Sequence, residues 1–219
     1  VAAGGAPERV ELHVPGLHQW FSVSAYNAGT NCFVAVFDAI TQQKLAEANQ
    51  QRLNRALRLL SDCNTVVVHA EREQRLLEQI CELVIDKGGY QMAWVGYAED
   101  DTRHSVRTVA RAGSGTDYLD TVAITWDDSA FGLGPTGTAV KSGQTQINRN
   151  FTLNPATAPW RDAAIAHGFR SSIGLPLRSK TRTFGALTIY AADVDGFIPE
   201  EVALLEELAG DLAYGIESL

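Results

Sequence analysis

The sequence predicts an α+β fold built on antiparallel strands, not a doubly wound parallel sheet. Two observations carry this expectation. Strand-like runs come in adjacent pairs across short turns, 92–99 with 105–113 and 171–179 with 183–193, as hairpins do. Helix-forming segments stand apart from those pairs, at 42–69, 70–87 and 199–219, instead of alternating with single strands.

From the N-terminus, VELHV (10–14), WFSVSAY (20–26) and CFVAVFD (32–38) read as short strands separated by PGLHQ and NAGTN, which carry turn chemistry. Trp20, Ser22, Ser24 and Tyr26 alternate with Phe21, Val23 and Ala25. Three such strands form a meander that is a weak domain without a covering layer. From Thr41 the chain turns to Gln, Ala, Leu and Arg with no Gly or Pro until well past Asp62, a strong helix signal. Leu53, Leu57 and Leu60 suit either a short coiled-coil seam or an amphipathic helix lying on its own domain. NTVVVHA is ambiguous, because its valines favour strand while both flanks favour helix.

EREQRLLEQICELVIDKGGY is a helix with Leu76, Leu77, Ile80 and Val84 on one face. Glu71 and Glu73 suit its first turn, and Gly88 or Gly89 supplies a left-handed cap. A polar helical turn is expected at 116–121, a short strand at 145–149 and a helix at 159–169 closed by Gly168. The hairpin SSIGLPLRS/TFGALTIYAAD is apolar enough to be central and buried. The last helix begins with Pro199 at its first position, followed by Glu200 and Glu201. Leu205, Ala209, Leu212, Ile216 and Leu219 then repeat at 4-3-4-3 spacing, which reads as a seam for a partner helix.

FGLGPTGTAV (131–140) contains G-x-G-x-x-G at Gly132, Gly134 and Gly137. A dinucleotide site would need a buried strand before it, a full helix after it and an acidic residue about 20 positions on. ITWDDSA precedes it, Gly143 soon ends the helix that follows, and TQINRN closes on Asn150. The better reading is a loop entering a short helix with Pro135 at its first position, whose free N–H groups can face a ligand.

A net charge of −8 argues against an extended nucleic-acid footprint. No apolar run approaches a membrane span, and VAAGGAPERV lacks a signal-peptide pattern. Without an initial Met the chain reads as a fragment or a processed product. Cys32, Cys63 and Cys81 are odd in number and widely spaced, favouring free thiols and a cytoplasmic location. His13 and His18 have no acidic or thiol cluster near them. No G-x-S-x-G elbow or P-loop lysine is present. Asp127 and Asp128 read as solvated loop acids, and Trp94 as core.

The ordered set GGYQMAWVGYAE, SVRTVARAG, ITWDD…GLGPTGTAV, INRN, APWRDAAIAHGFRSSIGLPL and FGALTIYAAD, followed by the acidic exit helix, resembles a GAF domain over 70–217. Residues 10–41, ending in VAVFDAIT, resemble the last strands of a PAS domain, although Ala39 stands where its exit motif has Asp. The resemblance implies three parts: a PAS-like remnant at 1–41, a helical linker with a possible coiled coil at 42–69, and a sensory domain at 70–219. It also implies a sheet of about six antiparallel strands, with the helices at 70–87 and 199–219 on one face and a ligand cavity on the other.

By this resemblance the chain is a sensory module of a bacterial regulator, a histidine kinase or a cyclic-di-GMP type protein, and not an enzyme. It would relay a signal through helices to an output domain. The alternatives are a dimerisation spacer with a vestigial pocket and a redox GAF enzyme. A homodimer is expected through Leu53, Leu57, Leu60, Leu205, Leu212 and Ile216. Ala166 stands before His167, and no Cys follows Cys81, so neither a covalent bilin nor the pocket thiols of a methionine sulfoxide reductase are expected. Haem would need His104 or His167 to face the cavity. On the presumed pocket side, Trp126 and Trp160 would stack on a ligand and Asp127 would accept a hydrogen bond. Thr136, Gly137 and Thr138 would offer backbone donors, Asn148 or Asn150 polar contacts, and Tyr190 reads as sheet core.

Overall fold

The computed structural model describes residues 8–29 and 32–219. Residues 1–7 of the PAS-like segment, and Thr30 and Asn31 of its second turn, lie outside the described residues. The chain divides into two compact units, Val1–Arg52 and Leu53–Leu219.

The first unit is a three-stranded antiparallel meander of β1 (Glu8–Val14), β2 (Gln19–Gly29) and β3 (Cys32–Ala39). Register places Val10, Val23 and Phe37 in one row and Leu12, Phe21 and Ala39 in the next, so one face is a continuous apolar surface. Helix α1 (Thr41–Val68) starts where the Trp20 N–H donates to Thr41 Oγ1 at 2.8 Å. It runs unbroken through the three valines, ending at Val68. The valines follow the helix because Val66 and Val67 pack on the core of the second unit, and tertiary packing outweighs a local strand preference.

The second unit holds a five-stranded antiparallel sheet. Its strands are β4 (Met92–Ala98), β5 (Val106–Gly113), β6 (Gln146–Asn148), β7 (Ser171–Arg178) and β8 (Thr183–Ala191), in the order β5-β4-β8-β7-β6. Among the described residues this sheet has five strands, close to the six or so that the resemblance implies. The strands β4, β7 and β8 are buried nearly throughout, so each needs a covering layer on both faces.

Register separates those faces. Ala93, Ile189, Ile173 and Ile147 form one cross-strand row, and Val95, Leu187 and Leu175 the next. They pack against Leu59, Leu60 and Cys63 of α1, against α2 (Glu73–Asp86) through Leu76, Leu77, Ile80 and Val84, and against α6 (Pro199–Ser218). Met92, Tyr190, Ser172 and Asn148 form a row on the opposite face, and Trp94, Thr188 and Gly174 another. A second, aromatic-rich cluster covers Met92, Trp94 and Tyr190. The helices do lie on one face, as the resemblance implies, and the α+β fold stands.

The apolar repeat of α6 serves its own domain. Leu205 is 1% exposed and Leu212 fully buried within the core of the same chain, Ile216 packs on that core, and Leu60 of α1 is buried with them. These residues are therefore not a free seam; a 4-3 repeat is equally the signature of a helix laid on a sheet. Leu57 stays exposed and Leu53 half-buried. At the other end of α6, Glu201 is 4% exposed. Its carboxyl accepts the Tyr90 hydroxyl at 2.7 Å and reaches back to the Ile198 N–H at 3.4 Å, tying the helix start to the entry of β4. Tyr90 stacks on Phe197 at 5.7 Å.

Glu201→Ala should leave the Tyr90 hydroxyl without its acceptor and cost about 2–3 kcal/mol, read as a lower urea midpoint at constant slope. A variant within about 0.5 kcal/mol of the parent would remove this anchor from the account. The thiols give a second check. Burial raises Cys63 and Cys81 to about 12, whereas Cys32 is exposed. Native protein should therefore take up one equivalent of a thiol reagent rapidly, at Cys32, and the rest only in denaturant.

Candidate functional site

The aromatic layer encloses a small cavity on the sheet face opposite α2 and α6. Its floor is Ser172 and Thr188, with Tyr190 between strand neighbours. Its walls come from four connecting segments. Tyr118 belongs to α3 (Tyr118–Thr121), Ile124 to the loop after it, and Gly134, Pro135 and Thr136 to the start of α4 (Pro135–Ser142). Phe151 follows β6, and Trp160 ends a 3₁₀ turn, Pro155–Trp160, that leads into α5 (Arg161–Ala166). The free volume is about 20 Å³, room for about one water.

Glycine and proline allow this closeness. A Cβ at Gly134 would lie 2.6 Å from the Trp160 ring, and one at Gly174 would lie 2.6 Å from the Pro135 carbonyl oxygen. The G-x-G-x-x-G pattern is thus a packing device that seats a short helix on the sheet. Thr136 Oγ1 and Thr188 Oγ1 share a hydrogen bond at 2.9 Å across that contact. The Trp160 indole N–H donates to the Ala123 carbonyl at 2.9 Å. Arg161 donates to the carbonyls of Phe151 and Asn154 at 3.0 and 3.1 Å, which holds the segment carrying Phe151 and Trp160. Tyr118, Phe169 and Tyr190 contact one another at centroid distances of 4.8–5.7 Å, with each such pair contributing about 1 kcal/mol beyond its burial. Phe131, half exposed, meets Trp160 edge-on at 6.4 Å on the outer side.

The polar groups in and beside the cavity have a definite state. Burial pushes the Tyr190 phenol up to about 12 and raises Tyr118 further, so both hydroxyls remain protonated. Trp94 Nε1 is directed at the Tyr190 hydroxyl but makes no bond of proper geometry. Asn148 is fully buried, accepts from Asn154 Nδ2 through Oδ1 at 3.0 Å, and has no partner for Nδ2.

The residues expected at the site divide. Thr136 and Trp160 line the cavity, and Asn148 stands beside Ser172 in the same cross-strand row. Gly137 is buried behind the wall, where a Cβ would meet the Thr125 carbonyl at 2.2 Å. Thr138 is committed to α4, its N–H bonded to the Gly134 carbonyl. Asn150 closes its own turn by accepting from the Thr152 N–H at 2.8 Å.

Trp126 and Asp127 are not on the cavity. Trp126 meets His104 in a tilted ring contact at 4.3 Å and donates to the Glu99 carbonyl at 3.1 Å, sealing the β4–β5 turn. Asp127 accepts from Ser129 and Thr125, and those bonds hold its carboxyl below the usual range. Both side chains are engaged within their own loop and the neighbouring turn. Neither His104 nor His167 borders the cavity; His167 bonds the Ala163 carbonyl at 2.7 Å and faces Asp117 at 3.5 Å. Tyr118, Phe151, Ser172, Thr188 and Tyr190 also line the cavity, beyond the residues expected there. The available signal was polar side chains at alternate positions, Ser172, Thr188 and Tyr190, within strands otherwise apolar.

A larger concavity of about 820 Å³ lies between the end of β7 and α6, bordered by Arg178, Lys180, Glu206, Gly210 and Tyr214. It is an open groove: a Cβ at Gly210 would meet nothing. Among the described residues no helix is long and apolar enough to cross a membrane.

The family model of the GAF domain matches residues 70–217. No curated protein matches the chain. Among solved structures, it is similar to a free methionine-R-sulfoxide reductase from Neisseria meningitidis in complex with its substrate, at 19% identity and TM-score 0.61, covering 74% of this chain and 89% of that one. It is also similar to the GAF domain of a phosphoenolpyruvate-protein phosphotransferase from Coxiella burnetii, at 18% identity and TM-score 0.61, covering 76% and 95%. A third is the Nlh2 GAF domain of A. aeolicus in an inactive state, at 14% identity and TM-score 0.58, covering 75% and 96%. At such identities the likeness concerns the fold. It corrects one expectation: reductases share this fold, so the statement that the chain is not an enzyme does not stand. The fold and the family match agree: over residues 70–217 this chain belongs to the GAF domain family.

Proposed function

We propose that the GAF unit is the sensory, small-ligand-binding part of a bacterial regulator of the histidine kinase or cyclic-di-GMP class, and that its helices carry the signal to an output domain. The observation behind this reading is the aromatic cavity with Thr136, Ser172 and Thr188 among its lining residues. Its walls are loops and short helices, while the helices that would carry a signal pack on the other face of the same sheet. Ligand in the cavity would shift the strands β7 and β8 between two packings, and α6 rests on that same sheet.

Within this reading, residues 1–41 are the C-terminal strands of a PAS-like domain, 42–69 a linker and 70–219 the sensory domain. The apolar face of the β1–β3 sheet supports the first assignment, since it calls for a covering layer. A homodimer is part of the proposal, but its surface moves from the buried leucines to the exposed apolar residues at the ends of α1 and α6. Val68 is 77% exposed, Tyr214 72% and Leu219 52%. Free thiols at Cys32, Cys63 and Cys81 suit the cytoplasm.

Two tests follow from this reading. Native mass spectrometry of the purified chain should retain a small molecule, and Gly134→Val, whose side chain would collide with Trp160, should release it without changing the far-ultraviolet spectrum. Retention by the variant would place the ligand elsewhere. In sedimentation, Tyr214→Lys should yield a folded monomer, whereas Leu212→Lys should unfold the chain. A parent protein that is monomeric at high concentration would remove the dimer.

A further inference from the structure

Two segments that wall the cavity are joined outside it by one side chain. Tyr118 opens α3, and Trp160 runs directly into α5. Asp117 caps the start of α3, and His167 caps the end of α5. The His167 ring lies against the turn before α3, where a Cβ at Gly115 would sit 2.9 Å from its Cδ2. The ring stacks on Phe169 at 5.9 Å and meets Tyr118 edge-on at 5.8 Å. Its Nδ1 is 2.7 Å from the Ala163 carbonyl oxygen, and its Nε2 is 3.5 Å from the Asp117 carboxylate.

A carbonyl and an ionised carboxylate can only accept. Two acceptors, one on each ring nitrogen, are both satisfied only by the imidazolium, which carries a proton on each. A neutral ring has a single N–H. The shorter contact, to Ala163, keeps it, and Nε2 then turns a lone pair toward a carboxylate. Loss of the proton therefore breaks the tie to Asp117 and leaves the tie within α5 intact.

Of the groups packed on the ring, Gly115, Asp117, Tyr118, Ala163 and Phe169, only Asp117 brings a charge. Tyr118 is the other titratable one, and burial keeps its phenol protonated. The His167 side chain is 24% exposed and that of Asp117 78%, so the pair exchanges protons with solvent. The bond to Ala163, and after it the Asp117 carboxylate, raises His167 above the ordinary imidazole value of 6.5. The tie is thus complete below that ordinary value and is lost as pH rises through the higher value of the folded protein.

We propose that His167 and Asp117 form a proton-operated latch between α3 and α5, closed when the ring is an imidazolium and open when it is neutral, so that pH sets how firmly the Tyr118 wall is held to the Trp160 segment. The latch answers to pH in the protein alone; it goes beyond the small-ligand reading and does not rest on it.

The test is an NMR titration of the full chain between about pH 5.5 and 9, following the His167 ring, the backbone amides of α3 and the Trp160 indole N–H. The spectrum of His167→Gln assigns the ring signal. His167 should titrate above 6.5, and its midpoint should fall in Asp117→Asn, which alters only an exposed side chain. The α3 amides and the Trp160 indole should shift with the same midpoint as His167. Trp160 stands at the far end of α5 from His167, so its step reports the segment and not the ring alone. That step should vanish in His167→Gln; if this variant does not fold, the step in Asp117→Asn should follow the lowered midpoint instead. A His167 midpoint at or below 6.5, or one unchanged in Asp117→Asn, would overturn the pair. Signals of α3 and Trp160 that stay flat across the His167 midpoint, or that keep their step in His167→Gln, would overturn the latch.

Discussion

The domain depends on one constraint: the central strands β4, β8 and β7 have no face that water can solvate. Strands of this kind exist only between two covering layers. Three helical segments form one layer, and their packing is ordinary, with Leu, Ile and Val on regular stripes. Loops and short helices form the other, and regular stripes are not available to them. Aromatic side chains fill that side instead, because a few large rings can cover a sheet from irregular backbone. Their edges do not tile perfectly. The cavity is the consequence of building a layer from loops.

The same constraint separates stability from function across the sheet. On the helix side Glu201 bonds Tyr90 at the only buried carboxyl in that layer among the described residues, and Asn64 Oδ1 of α1 is buried without a partner. On the cavity side, Thr136 and Thr188 pair, but Asn148 and Trp94 do not. Buried polar groups are seldom left so unless something else completes them. The strands that carry the cavity floor also carry, at alternate positions, the residues that face α2 and α6. Tyr190 and Ile189 are neighbours on β8 that look to opposite layers.

Much of the fold was legible before the structure. Helices at 70–87 and 199–219, both hairpins, Pro135 and Pro199 at helix starts and the left-handed Gly89 all follow from short-range rules, and each is found. The family resemblance over 70–217 rested on those same ordered segments. The site was legible only in part. Thr136, Trp160 and Asn148 were read near the pocket because they follow the glycine loop or precede polar turns. Trp126 and Asp127 were read there for the same reason and are not there, since a tryptophan and an acid in a loop can equally satisfy the loop itself. Tyr190, read as sheet core, is both core and wall.

Period and composition determined the elements of this protein, because the alternation of a strand and the stripe of a helix are properties of neighbouring residues. Whether the stripe Leu205–Leu212–Ile216 faces a partner or the chain's own sheet is not such a property. The two situations demand the same spacing, and only the fold shows that these side chains are buried at home. The cavity is non-local in the same way. Tyr118, Phe151 and Trp160 meet Ser172, Thr188 and Tyr190 through the register of β8 against its neighbours, and a slip of one residue would turn the floor toward the helices. The tertiary structure also decided which end of Asn148 is free, through Asn154 and the Ala156 N–H.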